Sequence, residues 1–323
     1  MIEVQGLSKT YRVHKRPQGL GPALRSLWHR VYEPVHAVAD LSFTIKDGER
    51  VGFLGPNGAG KTTTLKMMSG LLHPTAGTLK VDGFVPRERQ DAFLRRITLV
   101  MGQKQQLLWD LPPTETYALN RAVYGLDRVA FEKTLSDLVN LLDAGALMGK
   151  PTRQLSLGER MKCELIAALL HQPKVLFLDE PTIGLDVSMQ ATVRGFIRSY
   201  NEKTGATVLL TSHYMEDVTA LCPRVIVIDQ GRLIHDGDLH ALVTRTRPDK
   251  RVVLRFGPDT QQQRILALAQ VVSRDHASAT LNVPVSALKD VVREALGLGV
   301  ADLTVEDPPL DDVMRDLFKR AVP

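Results

Sequence analysis

In three segments of the first 54 positions, apolar and polar residues follow the pattern that is typical of β-strands. Residues 2–7, 37–45 and 49–54 are therefore predicted to be strands. Further along, helical periodicity alternates with short apolar runs, which predicts helices at 61–70, 114–142, 158–171, 187–203 and 214–221, strands at 175–178 and 207–211, a β-rich stretch up to residue 102 and a hairpin at 224–236. Strands that alternate with helices indicate an α/β fold with a largely parallel sheet and right-handed crossovers.

The pattern changes near residues 245–250, where charged side chains surround Pro248. We predict a linker there, followed by a small α+β domain at 250–323. Its predicted elements are a strand at 251–256, a helix at 260–270, a hairpin at 271–283, a helix at 286–296, a strand at 301–305 and a closing helix at 310–321.

Composition narrows the class of protein. The chain has 323 residues, of which 44% are hydrophobic and 24% charged, as in ordinary globular proteins. No apolar run approaches the ~18 residues that span a bilayer, so the chain is expected to stay in the cytosol. Two cysteines, Cys163 and Cys222, form neither a disulfide framework nor a C-x-x-C metal site. The net charge of +5 does not require a nucleic-acid partner.

Residues 55–62, Gly-Pro-Asn-Gly-Ala-Gly-Lys-Thr, fit the phosphate-binding pattern G-x-x-x-x-G-K-[ST]. They follow a predicted strand and begin a predicted helix, which is the context that such a loop requires. The glycines allow backbone N–H groups to surround phosphate oxygens at the positive end of the helix. Lys61 would neutralise the β- and γ-phosphates, and the hydroxyl of Thr62 would bind Mg²⁺.

A second candidate for the same chemistry follows the buried strand near residue 175. The strand ends in Asp179, and Glu180 comes next. A carboxylate at the carboxyl end of such a strand can hold Mg²⁺, and the next carboxylate is placed to polarise an attacking water as general base. Two exposed loop carboxylates would be the alternative, but the phosphate-binding loop favours the catalytic interpretation.

With these motifs in order, residues 1–240 resemble the ATP-binding cassette (ABC) ATPases, the motor subunits of ABC transporters. Tyr11 matches the aromatic residue that stacks on adenine, Gln103 the glutamine of the Q-loop, and residues 155–159, Leu-Ser-Leu-Gly-Glu, the signature motif. Residues 184–186, Gly-Leu-Asp, match the D-loop, and His213 matches the switch histidine that contacts the γ-phosphate.

The resemblance implies the P-loop NTPase fold of ABC ATPases, with a RecA-like core, an antiparallel β subdomain and a helical subdomain at about 110–170. It implies ATP and Mg²⁺ as cofactors, and two cassettes that close head to tail on two ATP molecules. It assigns nucleotide binding to Tyr11, Gly55, Pro56, Asn57, Gly58, Ala59, Gly60, Lys61, Thr62, Thr63, Gln103, Ser156, Gly158, Glu159 and Asp186, metal binding to Thr62, Gln103 and Asp179, and catalysis to Glu180 and His213.

The signature departs from the commonest family pattern, because Leu157 replaces a glycine and Glu159 a glutamine. We expect activity to persist. The C-terminal end and the long insertion before Val38 resemble the branch that serves exporters of drugs, lipids or polysaccharides. The resemblance therefore implies a homodimer or a pair with a paralogous ATPase, bound to a separate multi-spanning permease at the cytoplasmic face of the membrane, without nucleic acid. An importer motor and a soluble ABC ATPase that acts on DNA or ribosomes are the alternatives.

The insertion at about 14–36 carries an unusual charge pattern. The segment from Lys9 to Tyr32, with both ends counted, contains six Lys or Arg residues and no acid, and its apolar residues from Leu20 onward follow helical spacing. One interpretation is a helix that contacts the membrane subunit or anionic lipid headgroups. The other is a helix packed on the core with a solvated basic edge.

Overall fold

The computed structural model describes residues 1–14, 32–102 and 105–321, and the chain divides into one unit at Met1–Asp236 and a second at Gly237–Pro323. Within the described residues, no helix has the length and apolar character needed to cross a membrane. The predicted basic helix and Gln103 lie outside the described residues.

The first unit is built on a six-stranded sheet with the order β5-β6-β7-β3-β8-β9. Pairing is parallel from β5 through β8, as the alternating pattern predicts. Its strands are β3 (Arg50–Leu54), β5 (Ile97–Met101), β6 (Val175–Asp179), β7 (Thr207–Thr211), β8 (Arg224–Asp229) and β9 (Arg232–Asp238). Strands β5, β6 and β7 run in register, so that Met101, Asp179 and Thr211 end side by side. This edge collects the polar residues of the site.

A second sheet with the order β2-β1-β4 is antiparallel and consists of β1 (Ile2–His14), β2 (Tyr32–Ile45) and β4 (Ala76–Val81). Strands β1 and β2 extend well beyond the predicted 2–7 and 37–45. The extension is mostly exposed, so the burial pattern that marks a strand in the sequence is missing there. The two strands stay paired beyond the predicted segments, because backbone hydrogen bonds do not depend on side-chain type.

The helices of this unit are α1 (Lys61–Met68), α2 (Asp91–Leu94), α3 (Pro113–Tyr124), α4 (Arg128–Leu141), α5 (Leu157–Leu169), α6 (Val187–Thr204) and α7 (Met215–Leu221). The prediction of one helix at 114–142 was wrong, because residues 125–127 interrupt the helix and separate α3 from α4. Gly125 ends α3 with a left-handed φ of 60°, and the carboxylate of Asp127 caps α4 by accepting the N–H of Ala130. Both features are ordinary helix-boundary chemistry.

The main hydrophobic core lies between the two sheets and α1. Phe43, Phe53, Met67, Phe93 and Phe177 are among its buried side chains. Because α1 begins at the phosphate-binding loop and packs into this core, the start of the helix is held firmly by burial of its apolar face.

The second unit has an antiparallel sheet with the order β11-β12-β10-β13, formed by β10 (Asp249–Phe256), β11 (Gln270–Arg274), β12 (Ser278–Pro284) and β13 (Val300–Glu306). Its helices are α8 (Leu239–Thr246), α9 (Gln262–Leu266), α10 (Leu288–Gly297) and α11 (Leu310–Ala321). One sheet face and α10 enclose a core that includes Val252, Leu281 and Ala295. Residues 245–250, predicted as a linker, instead end α8 and begin β10.

Candidate active site

The phosphate-binding loop joins β3 to α1 through a turn that only glycine can form at two positions. Gly60 caps α1 with φ at 102°, and a Cβ there would lie 2.4 Å from the carbonyl oxygen of Ala37. A Cβ on Gly55 would lie 2.3 Å from the carbonyl oxygen of Ile228. Since Gly60 has no side chain to cap the helix, the N–H groups of its first turn are left to receive an anion.

Lys61 folds back over this loop. Its Nζ donates to the carbonyl oxygens of Gly55 at 2.7 Å and Pro56 at 3.0 Å. Burial lowers the pKa of Lys61, and the negative charges of Glu180 and Asp179 partly oppose this effect. The amino group of Lys61 is thus already at the loop, near the two carboxylates.

Thr62 and Asp179 meet across 117 positions of sequence. The Thr62 hydroxyl donates to Oδ2 of Asp179 at 2.9 Å, and the hydroxyl of Thr211 donates to Oδ1 at 2.6 Å. The register of β6 with β7 places Thr211 directly beside Asp179. The hydroxyl of Thr62 and the carboxylate of Asp179 are the hard oxygen ligands that Mg²⁺ prefers.

Glu180 follows Asp179 in a backbone conformation that is rare for a residue with a side chain, with φ at 55°. Its N–H donates to the carbonyl oxygen of Thr211 at 3.1 Å and to the Thr211 hydroxyl at 3.2 Å. These contacts direct the chain so that Oε1 of Glu180 lies 2.8 Å from Nε2 of His213. Such a left-handed residue costs of order 1–3 kcal/mol and persists only where surrounding contacts hold it.

The signature segment begins α5 with a complete capping box. The hydroxyl of Ser156 accepts the N–H of Glu159 at 3.2 Å, and the Glu159 carboxylate accepts the N–H of Ser156 at 2.9 Å. The backbone N–H of Ser156 lowers the pKa of Glu159, with further help from the Ser156 hydroxyl and two lysines. Within the described residues, no hydrogen bond joins Ser156 or Glu159 to the phosphate-binding loop.

The D-loop packs against this signature segment. Asp186 caps α6 by accepting the N–H of Met189 at 2.9 Å. A Cβ on Gly158 would lie 2.9 Å from Cγ of Met189, and a Cβ on Gly184 would lie 3.0 Å from Cδ2 of Leu157. Gly158 and Asp186, both predicted from the sequence, therefore lie where α5 and α6 begin side by side.

Tyr11 lies on β1 opposite Val35, with the ammonium of Lys9 5.3 Å from the centre of its ring. The phosphate-binding loop touches the neighbouring strand, since Gly60 approaches the carbonyl of Ala37. Tyr11 is exposed, and its strand partner Val35 lies two residues before Ala37.

The remaining predicted site residues fall into two groups. Pro56, Asn57, Gly58, Ala59 and Thr63 lie in the loop or the first turn of α1, whereas Gln103 falls outside the described residues. Gly102 and Thr211 were not predicted. A Cβ on Gly102 would lie 2.1 Å from the carbonyl oxygen of Glu180. Gly102 directly follows β5 and Thr211 ends β7. Their positions at the ends of parallel strands could have indicated, from the sequence, that they lie at the carboxyl edge of the sheet.

Comparison with known proteins agrees with this geometry. The family described as ABC transporter matches residues 38–183. The chain is 38% identical over 223 residues to the Nod factor export ATP-binding protein I of Burkholderia orbicola (strain AU 1054), covering 69% of this chain and 72% of that protein. It is 30% identical over 303 residues to the linearmycin resistance ATP-binding protein LnrL of Bacillus subtilis (strain 168), covering 91% and 97%.

A solved structure described as the ATP-binding subunit of an ABC transporter superposes with a TM-score of 0.62 at 23% identity, covering 76% of this chain and 92% of that one. At this identity the similarity shows the fold, and the predicted fold class of the cassette is confirmed.

Proposed function

Because the chain belongs to the ATP-binding proteins of ABC transporters and is an ATPase of that family, we propose that it is the motor subunit of an exporter whose permease is a separate chain. One observation carries the proposal: a carboxylate, Glu180, is hydrogen-bonded to His213 at the edge of the sheet where Lys61 and Thr62 would hold the phosphates of ATP. The relatives named for Nod factor export and linearmycin resistance favour export.

The proposed mechanism follows from these contacts. The N–H groups at the start of α1 bind the phosphates, and Lys61 neutralises charge on the β- and γ-phosphates. Glu180 orients the attacking water and takes its proton as general base. The Nε2 atom of His213 lies 2.8 Å from Oε1 of Glu180, and we propose that His213 contacts the γ-phosphate from this position.

The oxygen atoms of Thr62 and Asp179 fit Mg²⁺, and we propose them as its protein ligands, with Gln103 as a third from the sequence. When bound, Mg²⁺ neutralises the charge that develops on the phosphate oxygens. The hydrogen bond from the Thr62 hydroxyl to Oδ2 of Asp179 holds these two groups next to each other.

The signature segment supports a dimer. We propose the N-terminus of α5 as a second anion-binding position, because the capping box uses the N–H groups of Ser156 and Glu159 but not those of Leu157 and Gly158. Since this segment makes no hydrogen bond to the chain's own loop within the described residues, we propose that it closes on ATP held by a second cassette. The partner is a second copy of this chain or a paralogue.

A groove in the first unit is proposed as the permease site. It has a volume of about 420 Å³, and its lining includes Leu71, Leu94, Val123 and Tyr124. Val123 is 65% exposed and Leu71 57% exposed, so the groove offers two exposed apolar side chains to a partner. An amphipathic helix of a permease, exposed at the cytoplasmic face of the membrane, is the proposed occupant.

We further propose that the cassette spans residues 1–240, with its helical subdomain at about 110–170, and that residues 250–323 form an accessory domain. The chain would be a peripheral protein at the cytoplasmic face of the membrane, held there by the permease. Contact of the basic insertion with lipid headgroups remains a proposal of the sequence alone.

The test is purification of the tagged chain from membranes of its own host in mild detergent, followed by mass spectrometry. A stoichiometric multi-spanning protein is expected, and its architecture separates export from import. Recovery of soluble ribosomal or DNA-repair proteins alone would overturn the transport proposal. Val123→Glu should lose the membrane partner, whereas Val129→Glu should retain it, because Val129 is 75% exposed and lies outside the groove.

A further inference from the structure

A buried carboxylate lies near the proposed catalytic pair, Glu180 and His213. Among the residues that the structure describes, its hydrogen bonds go to neither member of this pair nor to the phosphate-binding loop. Asp217, in the first turn of α7, is fully buried. Its Oδ2 accepts hydrogen bonds from the hydroxyls of Thr182 and Ser212, the latter at 2.7 Å, and its Oδ1 accepts from Nη1 of Arg194 at 2.9 Å. A buried charge is costly, so these partners must compensate for lost water.

The three donors come from three separate segments. Thr182 is two residues after Glu180, Ser212 immediately precedes His213, and Arg194 belongs to α6, which begins at the D-loop. The hydroxyl of Ser212 also accepts the N–H of Tyr214 at 3.0 Å, so the turn that carries His213 is held on both sides. One carboxylate therefore ties together the backbones that carry Glu180 and His213.

The need for such a tie follows from the strain at Glu180. Its left-handed backbone and its 2.8 Å contact with His213 require both segments to stay in fixed positions. Thr211 holds the segment just before Glu180 through its hydrogen bond to Asp179. Asp217 holds the residues just after Glu180 and just before His213 through Thr182 and Ser212, both of which are buried.

We propose that Asp217 is a positioning residue for ATP hydrolysis, which aligns Glu180 with His213 by clamping Thr182 and Ser212 to Arg194. The proposal rests on the catalytic roles proposed for Glu180 and His213. An asparagine would keep the shape of Asp217, but its NH₂ group cannot accept a hydrogen bond from a hydroxyl or a guanidinium. The variant also loses the negative charge that pairs with Arg194, and a hydroxyl that faces the NH₂ group must reverse its hydrogen bond. The clamp is then weakened, and the pair is free to shift.

The test measures kcat and KM for ATP with the purified full chain and its Asp217→Asn variant. A shift in the pair should lower kcat by about 10- to 100-fold, while KM stays within about twofold of the wild-type value. The matched control is Asp236→Asn, which removes a carboxylate from an arginine pair with Arg224 far from the site. The control should leave kcat unchanged, and the Tm of each variant is measured beside its kcat.

A double-mutant cycle separates positioning from general damage. If Asp217 acts through the pair, Asp217→Asn should add no further loss of single-turnover rate in the Glu180→Gln background. The same proportional loss in both backgrounds would overturn the proposal, as would a wild-type kcat for Asp217→Asn. Wild-type turnover in Glu180→Gln alone would instead overturn the catalytic role of Glu180.

Two further variants keep the test decisive if Asp217→Asn does not fold. Ser212→Ala and Thr182→Val each remove one donor and leave the Asp217–Arg194 ion pair intact. Each should lower kcat with little change in KM, and wild-type kcat in both would overturn the proposal.

Discussion

Oε1 of Glu180 and Nε2 of His213 lie 2.8 Å apart although 33 positions separate the two residues. Both follow strands of the six-stranded sheet, Glu180 directly after β6 and His213 two residues after β7. The parallel register of these neighbouring strands brings the two side chains together at one edge. The contact joins the proposed general base, Glu180, to His213.

Replacement of Glu180 by glutamine should lower kcat by at least about 100-fold, because an amide cannot take the proton of the attacking water. ATP binding should be retained, since the loop and Lys61 are unchanged. Phosphate release and binding of a fluorescent ATP analogue measure the two effects. Glu202→Gln, on an exposed acid of α6, is the control and should turn over normally. Turnover of Glu180→Gln near the wild-type rate would contradict the assignment.

Lys61→Ala should weaken ATP binding itself. The ammonium of Lys61 lies against the carbonyl groups of the loop. The variant therefore loses a charge-assisted contact with the phosphates that is worth about 1.5–3 kcal/mol, or roughly 10- to 150-fold in Kd. Titration with a fluorescent ATP analogue measures the change. Lys66→Ala, at the last turn of α1, should bind as the wild type does. Equal affinity in both variants would remove Lys61 from the phosphate site.

Two glutamates of α5 should respond to pH in opposite directions. The capping box lowers the pKa of Glu159 below 4.5, so its contribution to stability is present above that pH and is lost as pH falls through the lowered value. Burial raises the pKa of Glu164 above 4.5, and hydrogen bonds from the backbone N–H groups of Gln106 and Leu107 only partly oppose this rise. Its contribution is present below pH 4.5 and is lost as pH rises through the raised value.

Denaturant unfolding of Glu159→Gln and Glu164→Gln against the wild type checks this pair. The stability difference between wild type and Glu159→Gln should shrink on acidification below pH 4.5, whereas that for Glu164→Gln should shrink as pH rises above it. Parallel curves for the two variants would contradict the opposite shifts. Each glutamate is the other's control, because both lie on one helix.

Gly184→Ala should destabilise the chain by about 1 kcal/mol or more, since its φ of 73° suits glycine and a Cβ would lie 3.0 Å from Cδ2 of Leu157. Adding Leu157→Ala should restore only the part of the lost stability that comes from the close approach of the new Cβ to Leu157. Gly195→Ala is the control in the middle of α6, where a Cβ meets nothing within 4 Å. It should stabilise by about 0.5–1 kcal/mol. Equal unfolding midpoints for the two alanine variants would refute this account of Gly184.

Local motifs made the class of protein and the fold of the cassette predictable. The loop at 55–62, the acid pair after the strand at 175 and the order of the remaining motifs are short-range patterns, and their chemistry depends on neighbours in sequence. The break between α3 and α4 was also present in the sequence, as Gly125 and Asp127, but helical periodicity on both sides concealed it.

The sequence by itself determined which residues can bind phosphate, hold Mg²⁺ and accept a proton, because those abilities belong to residue types and their local spacing. Only the tertiary structure decided that Thr211 supports Asp179 and that Asp217 joins Thr182 to Ser212. These contacts depend on strand register and on the packing of α6 and α7. A single sequence without a fold carries no distance between segments, and hydrogen bonds between them require that distance.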